Sequence, residues 1–592
     1  MDLRGGRALI PLVWRGLFAT ALAAAALLIG LPAAAQAQAG SAAGSTPASK
    51  AANANGTTTT TTDESDHHLS SARAIKIART EAPEVAAERK RWGHLDATAT
   101  AKPGTWQVDF YADGTERVQV IVDDATGQVT ETWTGYQIAW QMARGYEGQF
   151  GHKLNAPYVW IPFAAIFFLA LLDFRRKWRM VHLDLLVLLS FGISEIYFNQ
   201  GNIGVSVPLT YPPLLYLLAR MIWVGFRGAG EGLRPSTPTA WLAVGGAFLL
   251  GFRIALNIVD SGVIDVGYAG VIGANHLLHG QAIWNNFPSD NSFGDTYGPF
   301  NYYAYVPFVL VFPWSGTWDN LPAAHAAAIA FDLATVGGLF ALGRRLRPGR
   351  DGTRLGVILG FAWAAYPFTD YALQSNSNDA LVAALLVWAL VVFASPVKRA
   401  ALLGLSIATK FAPLPLAPLF AAGDRGLLTR GDESRSLLRR WRPVGIFCLS
   451  LAVVTGAMLA LPAIDPGLGT FYDRTVKSQL DRTSPFSVWG QNHSLDSLQT
   501  AFKVFAVALA LAVAFLPRRR SLAQVAALAA AVIIAVEITA EHWFYLYIPW
   551  FFGLVLAGLT AATRESSSPT VTASSVASAP GVRREKIPAS AR

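Results

Sequence analysis

Residues 238–258 read PTAWLAVGGAFLLGFRIALNI, an apolar run whose one charge is Arg253. A helix of about 20 such residues crosses roughly 30 Å of hydrocarbon. Runs of the same kind recur near 156–173, 181–199, 205–226, 322–342, 354–371, 379–395, 400–421, 444–462, 500–516, 522–540 and 543–562. Of the 592 residues, 52% are hydrophobic and 15% charged, where a soluble domain carries about 25% charged residues. The expected fold class is an all-α polytopic membrane protein, with about 11–13 transmembrane helices and a small extracytoplasmic α+β domain.

The formal net charge is +9. The basic residues fall between the apolar runs, so the excess reads as loop charge set by topology and not as a nucleic-acid surface. The loops at 175–179, 227–234, 344–354, 398–399, 425–442 and 518–520 and the C-terminal tail are rich in Lys and Arg. Those at 259–321, 372–378, 463–499 and 541–542 carry fewer for their length. One orientation satisfies the positive-inside rule, with the second set of loops outside and the C-terminus in the cytoplasm. It requires the 400–421 run to return to the side it left. Lys410, Pro413 and Pro415 interrupt that run, and two half-helices forming a hairpin are expected there. Such a break is tolerated only where protein or a cavity shields the backbone. The single cysteine, Cys448, rules out an internal disulfide framework and a thiolate metal cluster.

Residues 1–39 have the basic start, apolar stretch and small-residue end of a signal peptide or signal anchor. Residues 40–68, rich in Ala, Ser and Thr, read as a disordered linker, and 563–592 as a disordered cytoplasmic tail. Between them, 69–135 is expected to be a small α+β unit. One helix over 71–91 precedes strands at 105–110, 118–122 and 128–133, with Asp113-Gly114 as a hairpin turn. The stretches WQVDFYADG and VQVIVDDATGQV resemble a PepSY-type domain, which implies a binding or regulatory module. Residues 156–237 supply three additional transmembrane helices, and 238–562 the main membrane region.

Polar residues concentrate in the two long outer loops. The first begins at Asp260, continues through Asp265 into AGVIGANHLLHGQAIW, and returns through Asp295-Thr296-Tyr297-Gly298-Pro299-Phe300. An acidic outer loop, a Leu-Leu-His-Gly turn and a Tyr/Pro-rich re-entry resemble the glycosyltransferase C superfamily, and within it the family 87 polyprenol-phosphate-dependent mannosyltransferases. That resemblance implies a catalytic acid/base at Asp265, with Asp260 as second choice, and places Tyr297 at the sugar or acceptor site. The chemistry agrees, because an acceptor hydroxyl is a poor nucleophile until a base takes its proton. The bland alternative for Asp265 is a solvated loop carboxylate.

The second loop contains FYDRTVKSQLDRTSPFSVWGQNHS, residues 471–494. Arginine grips a phosphate with two parallel hydrogen bonds, so Arg474, Arg482 and Lys477 are candidate donor-phosphate ligands, with Gln479 as a sugar contact. The alternative is a basic amphipathic segment on anionic lipid. Lys410, within GLSIATKFAPLPLAP, is a fourth phosphate candidate or a snorkelling side chain. Asn376 and Asn378 are expected to bind sugar hydroxyls or to cap the helix that starts at Asp379. His542, in the turn Glu541-His542-Trp543, resembles the superfamily's last outer turn beside the substrate.

No nucleotide-triphosphatase loop, zincin motif or dinucleotide fingerprint is present in the sequence, and no metal or cofactor is predicted. The expected function is transfer of a sugar, mannose by family resemblance, from a polyprenyl-phosphate donor to a glycolipid or cell-envelope glycan acceptor. The expected place is the outer face of the cytoplasmic membrane. The rival is a transporter or flippase for a polar or lipid-linked solute, which also uses broken helices and intramembrane charges.

Overall fold

The computed structural model describes residues 67–561 except 103, 113–114, 136–137, 139–156, 177, 231, 289–290, 428–436, 481 and 483. The signal segment, nearly all of the linker, the hairpin-turn residues Asp113 and Gly114, and the C-terminal tail lie outside the described residues.

Two helices and a four-stranded antiparallel sheet form the N-terminal unit. The helical pattern over 71–91 is broken, giving Ser71–Glu81 and Pro83–Trp92. Pro83 has no backbone N–H and drives the preceding residue out of the helical region, so Ala82 is extended at φ −94°, ψ 107°. The Ser70 side chain caps the first helix by accepting from the Arg73 amide. The strands are β1 (Asp96–Lys102), β2 (Thr105–Ala112), β3 (Thr115–Asp123) and β4 (Val129–Thr134), in the spatial order β1-β2-β3-β4. Strand β1 was not among the expected strands, because its sequence DATATAK lacks the large apolar residues that mark a half-buried strand. It alternates nonetheless. Ala97 and Ala99 enter a core with Ala74, Ala78, Trp106, Val108, Phe110, Val118, Val120 and Val122.

From residue 157 the chain is helical. Six helical segments among the described residues are long and apolar enough to cross a membrane: Met180–Asn199, Ile203–Arg227, Thr239–Asp260, Pro322–Leu346, Trp441–Ile464 and His493–Phe515. Four shorter apolar helices accompany them, Pro157–Leu171, Asp379–Val391, Leu522–Ile538 and Tyr545–Gly558. The first long loop is more ordered than a connector, holding the helices Asp265–Leu278 and Pro299–Val311.

The 400–421 run breaks as expected. The helix Pro396–Ile407 ends, and a 3-10 turn at Leu414–Leu416 leads into the helix Ala417–Ala422. The two arms form a hairpin, since Arg399 near the start of the first donates to the Ala421 carbonyl near the end of the second at 3.4 Å. Protein shields the apex. The Gly298 amide donates to the Thr409 carbonyl at 3.2 Å and the Phe300 amide to the Ala408 carbonyl at 2.9 Å. Carbonyls freed by the break are thereby satisfied in a place where an unpaired one is expensive. Gly298 is required by this approach, because a Cβ there would stand 2.2 Å from the Ala408 oxygen.

Two buried charges inside the helical bundle, Arg253 and Asp184, are paired. Arg253 is fully buried and donates to Asp370 at 3.1 Å and Asp332 at 3.0 Å, with further bonds to the Trp363 and Ala364 carbonyls. It joins the helix Thr239–Asp260 to the helices Pro322–Leu346 and Pro367–Gln374. Asp184 is likewise buried against Arg220 at 2.9 Å and the Tyr216 hydroxyl at 2.8 Å.

Candidate active site

Asp265 is the first residue of the helix Asp265–Leu278, where the aligned peptide dipoles favour a carboxylate. Three contacts fix that helix end. The Ile264 amide donates to the Ser375 carbonyl at 3.2 Å, and Asn291 Nδ2 donates to the Asp265 carbonyl at 3.0 Å. Gly267 lets the helix press on the Asn376 backbone, where a Cβ would stand 2.2 Å from the carbonyl oxygen. The Asp265 side chain has open surface, yet burial is the largest influence on its carboxyl and raises it above the ordinary carboxylate range. A group with both properties lies on the wall of an interior cleft. The nearby charges of Arg482 and Lys410 oppose the rise and that of Asp379 adds to it.

The same cleft gathers residues from distant parts of the chain. Lys410, at the hairpin apex, donates to Asp379 Oδ1 at 2.5 Å. Its ammonium lies 5.6 Å from the Tyr297 ring, 5.6 Å from Tyr547 and 5.1 Å from Trp550, distances at which aromatic faces stabilise a cation. Trp550 Nε1 donates to the same Asp379 oxygen at 2.9 Å and stacks on Tyr547. His542 is held by Ser484 Oγ, 2.9 Å from Nδ1, and packs edge-on against Phe486. Burial, with Arg482 and Lys410 nearby, holds its imidazole well below the usual range, so it is neutral at physiological pH. Arg482 is exposed and close enough to act on Asp265, His542 and Tyr547. Among the described residues it makes no ion pair.

Asp265, Tyr297, Lys410, Arg482 and His542 are thus brought together. Arg474, Asn376 and Asn378 are committed to other partners. Arg474 is committed to Asp295, with Nε and Nη2 each 2.7 Å from a carboxylate oxygen. Asn376 and Asn378 are fully buried in the packing. Asn376 donates to Ser261 Oγ and the Gly262 carbonyl and accepts from Asn257, while Asn378 donates to Asn301 at 2.6 Å. Asn376 braces the turn that leads into Asp265, and Asn378 ties the start of the helix Asp379–Val391 to the helix Pro299–Val311. Neither caps the helix at Asp379 with its side chain. Asp260 closes the helix Thr239–Asp260, and Asp260, Lys477 and Gln479 are exposed.

Sequence reasoning did not pair Asp379 with Lys410 or see Trp550 and Ser484 as parts of the cleft. A signal for Asp379 existed, since a lysine inside an apolar run needs a carboxylate and Asp379 opens an adjacent run. Ser484 offered none.

Residues 296–544 match the model of glycosyltransferase family 87. The match includes Tyr297, Asp379, Lys410, Arg482 and His542 and begins after Asp265. No curated protein matches the chain. With its many apolar helices and the family 87 region over residues 296–544, the chain is a multi-pass membrane glycosyltransferase.

Proposed function

We propose that the protein transfers a sugar, mannose by family resemblance, from a polyprenyl-phosphate donor to a glycolipid or cell-envelope glycan. The site faces the outer side of the cytoplasmic membrane, in keeping with the basic loops on the opposite side. The observation that carries the reading is the convergence on an aromatic cleft of the Asp265 carboxylate and of Arg482, a cation with no ion pair among the described residues.

Asp265 takes the proton of the acceptor hydroxyl as its oxygen attacks the anomeric carbon. The bond from that carbon to the donor phosphate breaks, and the electron pair leaves with the polyprenyl phosphate. Arg482 stabilises the charge that develops on the leaving phosphate. Burial suits Asp265 to the task, because a carboxylate whose carboxyl is raised is a stronger base. Lys410 acts through its pair with Asp379, which leaves it partly neutralised, and so contributes less to phosphate binding than Arg482. Tyr297, Tyr547 and the neutral His542 form the wall against which the sugar packs.

The test is transfer from radiolabelled polyprenyl-phosphate sugars in membranes holding the native chain or Asp265→Asn at matched expression. Label moving to an acceptor with the native chain and not with the variant supports the reading. Failure of every such donor with the native chain overturns it.

A further inference from the structure

We propose that the Asp295–Arg474 pair is a positioning device that holds Asp265 and Arg482 at their working separation across the cleft. This rests on the proposed transfer reaction for its rate consequences but not for its structural ones.

The pair joins the two long loops. Asp295 is fully buried. It accepts two bonds from Arg474 at 2.7 Å and one from the Asn285 amide at 2.6 Å. Arg474 also donates to the Ser292 carbonyl. The two-pronged geometry resists both translation and rotation of one loop on the other. The turn that carries Asp295 is tied on its other side to the reactive carboxylate, since Asn291 Nδ2 holds the Asp265 carbonyl at 3.0 Å. Tyr302 steadies the same turn by donating to the Gly294 carbonyl at 2.8 Å.

Arg474 lies in a continuous helical stretch made of Leu468–Tyr472, a π-helical turn at Asp473–Lys477, and Ser478–Leu480. That stretch ends just before Arg482. Phe471, about one turn before Arg474, packs edge-on against Trp284 with ring centres 4.9 Å apart. The stretch is therefore docked on the first loop by an aromatic contact and an ion pair on one face. Arg482 follows from the docked end, while Asp265 is bound to the turn on which it docks. With its fork filled by Asp295, Arg474 places the phosphate-binding cation and does not itself touch the phosphate.

The consequence is electrostatic as well as geometric. The charged groups acting on Asp265 are Arg482, Lys410 and Asp379, and the Tyr297 and Tyr547 hydroxyls are near enough to feel it. Loosening the stretch withdraws Arg482 and leaves the others. Asp295→Asn, and more mildly Arg474→Lys, should then lower kcat by up to roughly 10²-fold, the scale of a misplacement near 1 Å. Both should move the acid limb of the pH–rate profile to higher pH. Arg482→Gln alone should move it the same way, and adding Asp295→Asn to that variant should move it little further.

An activity-independent readout uses limited trypsin digestion of the purified full chain. Cleavage after Lys477 and Arg482 should accelerate in Asp295→Asn and in Arg474→Lys, with cleavage at other basic loops unchanged. An unmoved acid limb with unchanged cleavage overturns the proposal, as does cleavage that rises equally everywhere, which marks general unfolding. Selective cleavage in a protein whose native form transfers nothing would keep the clamp and overturn the reaction.

Discussion

Lys410 and Asp379 form an ion pair of 2.5 Å in which the carboxylate is fully buried and the lysine side chain 11% exposed. Its partners come from a hairpin apex and from the first turn of a separate helix. Removing one member leaves the other charge stranded, which costs about 3–5 kcal/mol, whereas replacing both by apolar groups is often neutral. Lys410→Met should therefore lower the unfolding temperature in detergent sharply, and Lys410→Met with Asp379→Leu should recover most of it. A double variant no more stable than Lys410→Met would show that the pair does not act as a unit.

Asp265 presents open surface to the cleft, so its amide replacement removes chemistry and not packing. Asp265→Asn should reduce transfer by about 10²–10⁴-fold, the usual worth of a general base, with an unchanged unfolding temperature. In the native chain the acid limb should lie above the ordinary carboxylate range, because burial raises the carboxyl and only its ionised form is a base. A limb within the ordinary range would place the base elsewhere.

Gly298 has an unremarkable backbone, with φ −70°, so the demand for glycine is steric. Gly298→Ala should push the Ala408 carbonyl away, breaking the bonds that cap the hairpin apex and displacing Lys410. Loss of stability together with loss of transfer is expected. Full activity in Gly298→Ala would mean that the apex has another way to satisfy its carbonyls.

Glu116 tests the N-terminal sheet. Burial, the charge of Asp109 and a hydrogen bond shared with it push the Glu116 carboxyl up to about 9. Gln119 bonds to both carboxylates, Gln107 to Asp109, and Lys102 lies near Asp109. A carboxyl raised in the folded state holds its proton there after the unfolded chain has lost it. Its stabilising contribution is thus full below the unfolded value, shrinks as pH rises, and is gone above about 9. Glu116→Gln should flatten this slope, measured as hydrogen exchange of β2 and β3 across that range. An equally steep slope in the variant would assign the titration to another group.

Much of the architecture was legible because hydrophobicity is a local property. An apolar run announces a helix wherever it later packs, and Lys410, Pro413 and Pro415 announced the break in theirs. The same holds for Val118, Val120 and Val122, whose alternation marked a strand. Ala97 and Ala99 were too small to give that signal, and the break at Ala82 needed Pro83 to be weighed against an otherwise helical pattern.

The pairings were not legible. Lys410 with Asp379, Arg474 with Asp295, and Arg253 with Asp332 and Asp370 each join residues remote in the chain. The sequence by itself determined which segments are apolar helices, where one of them breaks, and which polar residues fall between them. Only the tertiary structure decided which of those residues face the cleft. A charge in a low-dielectric interior settles on whichever opposite charge the packing brings within reach, and that reach depends on helix positions that no single segment encodes.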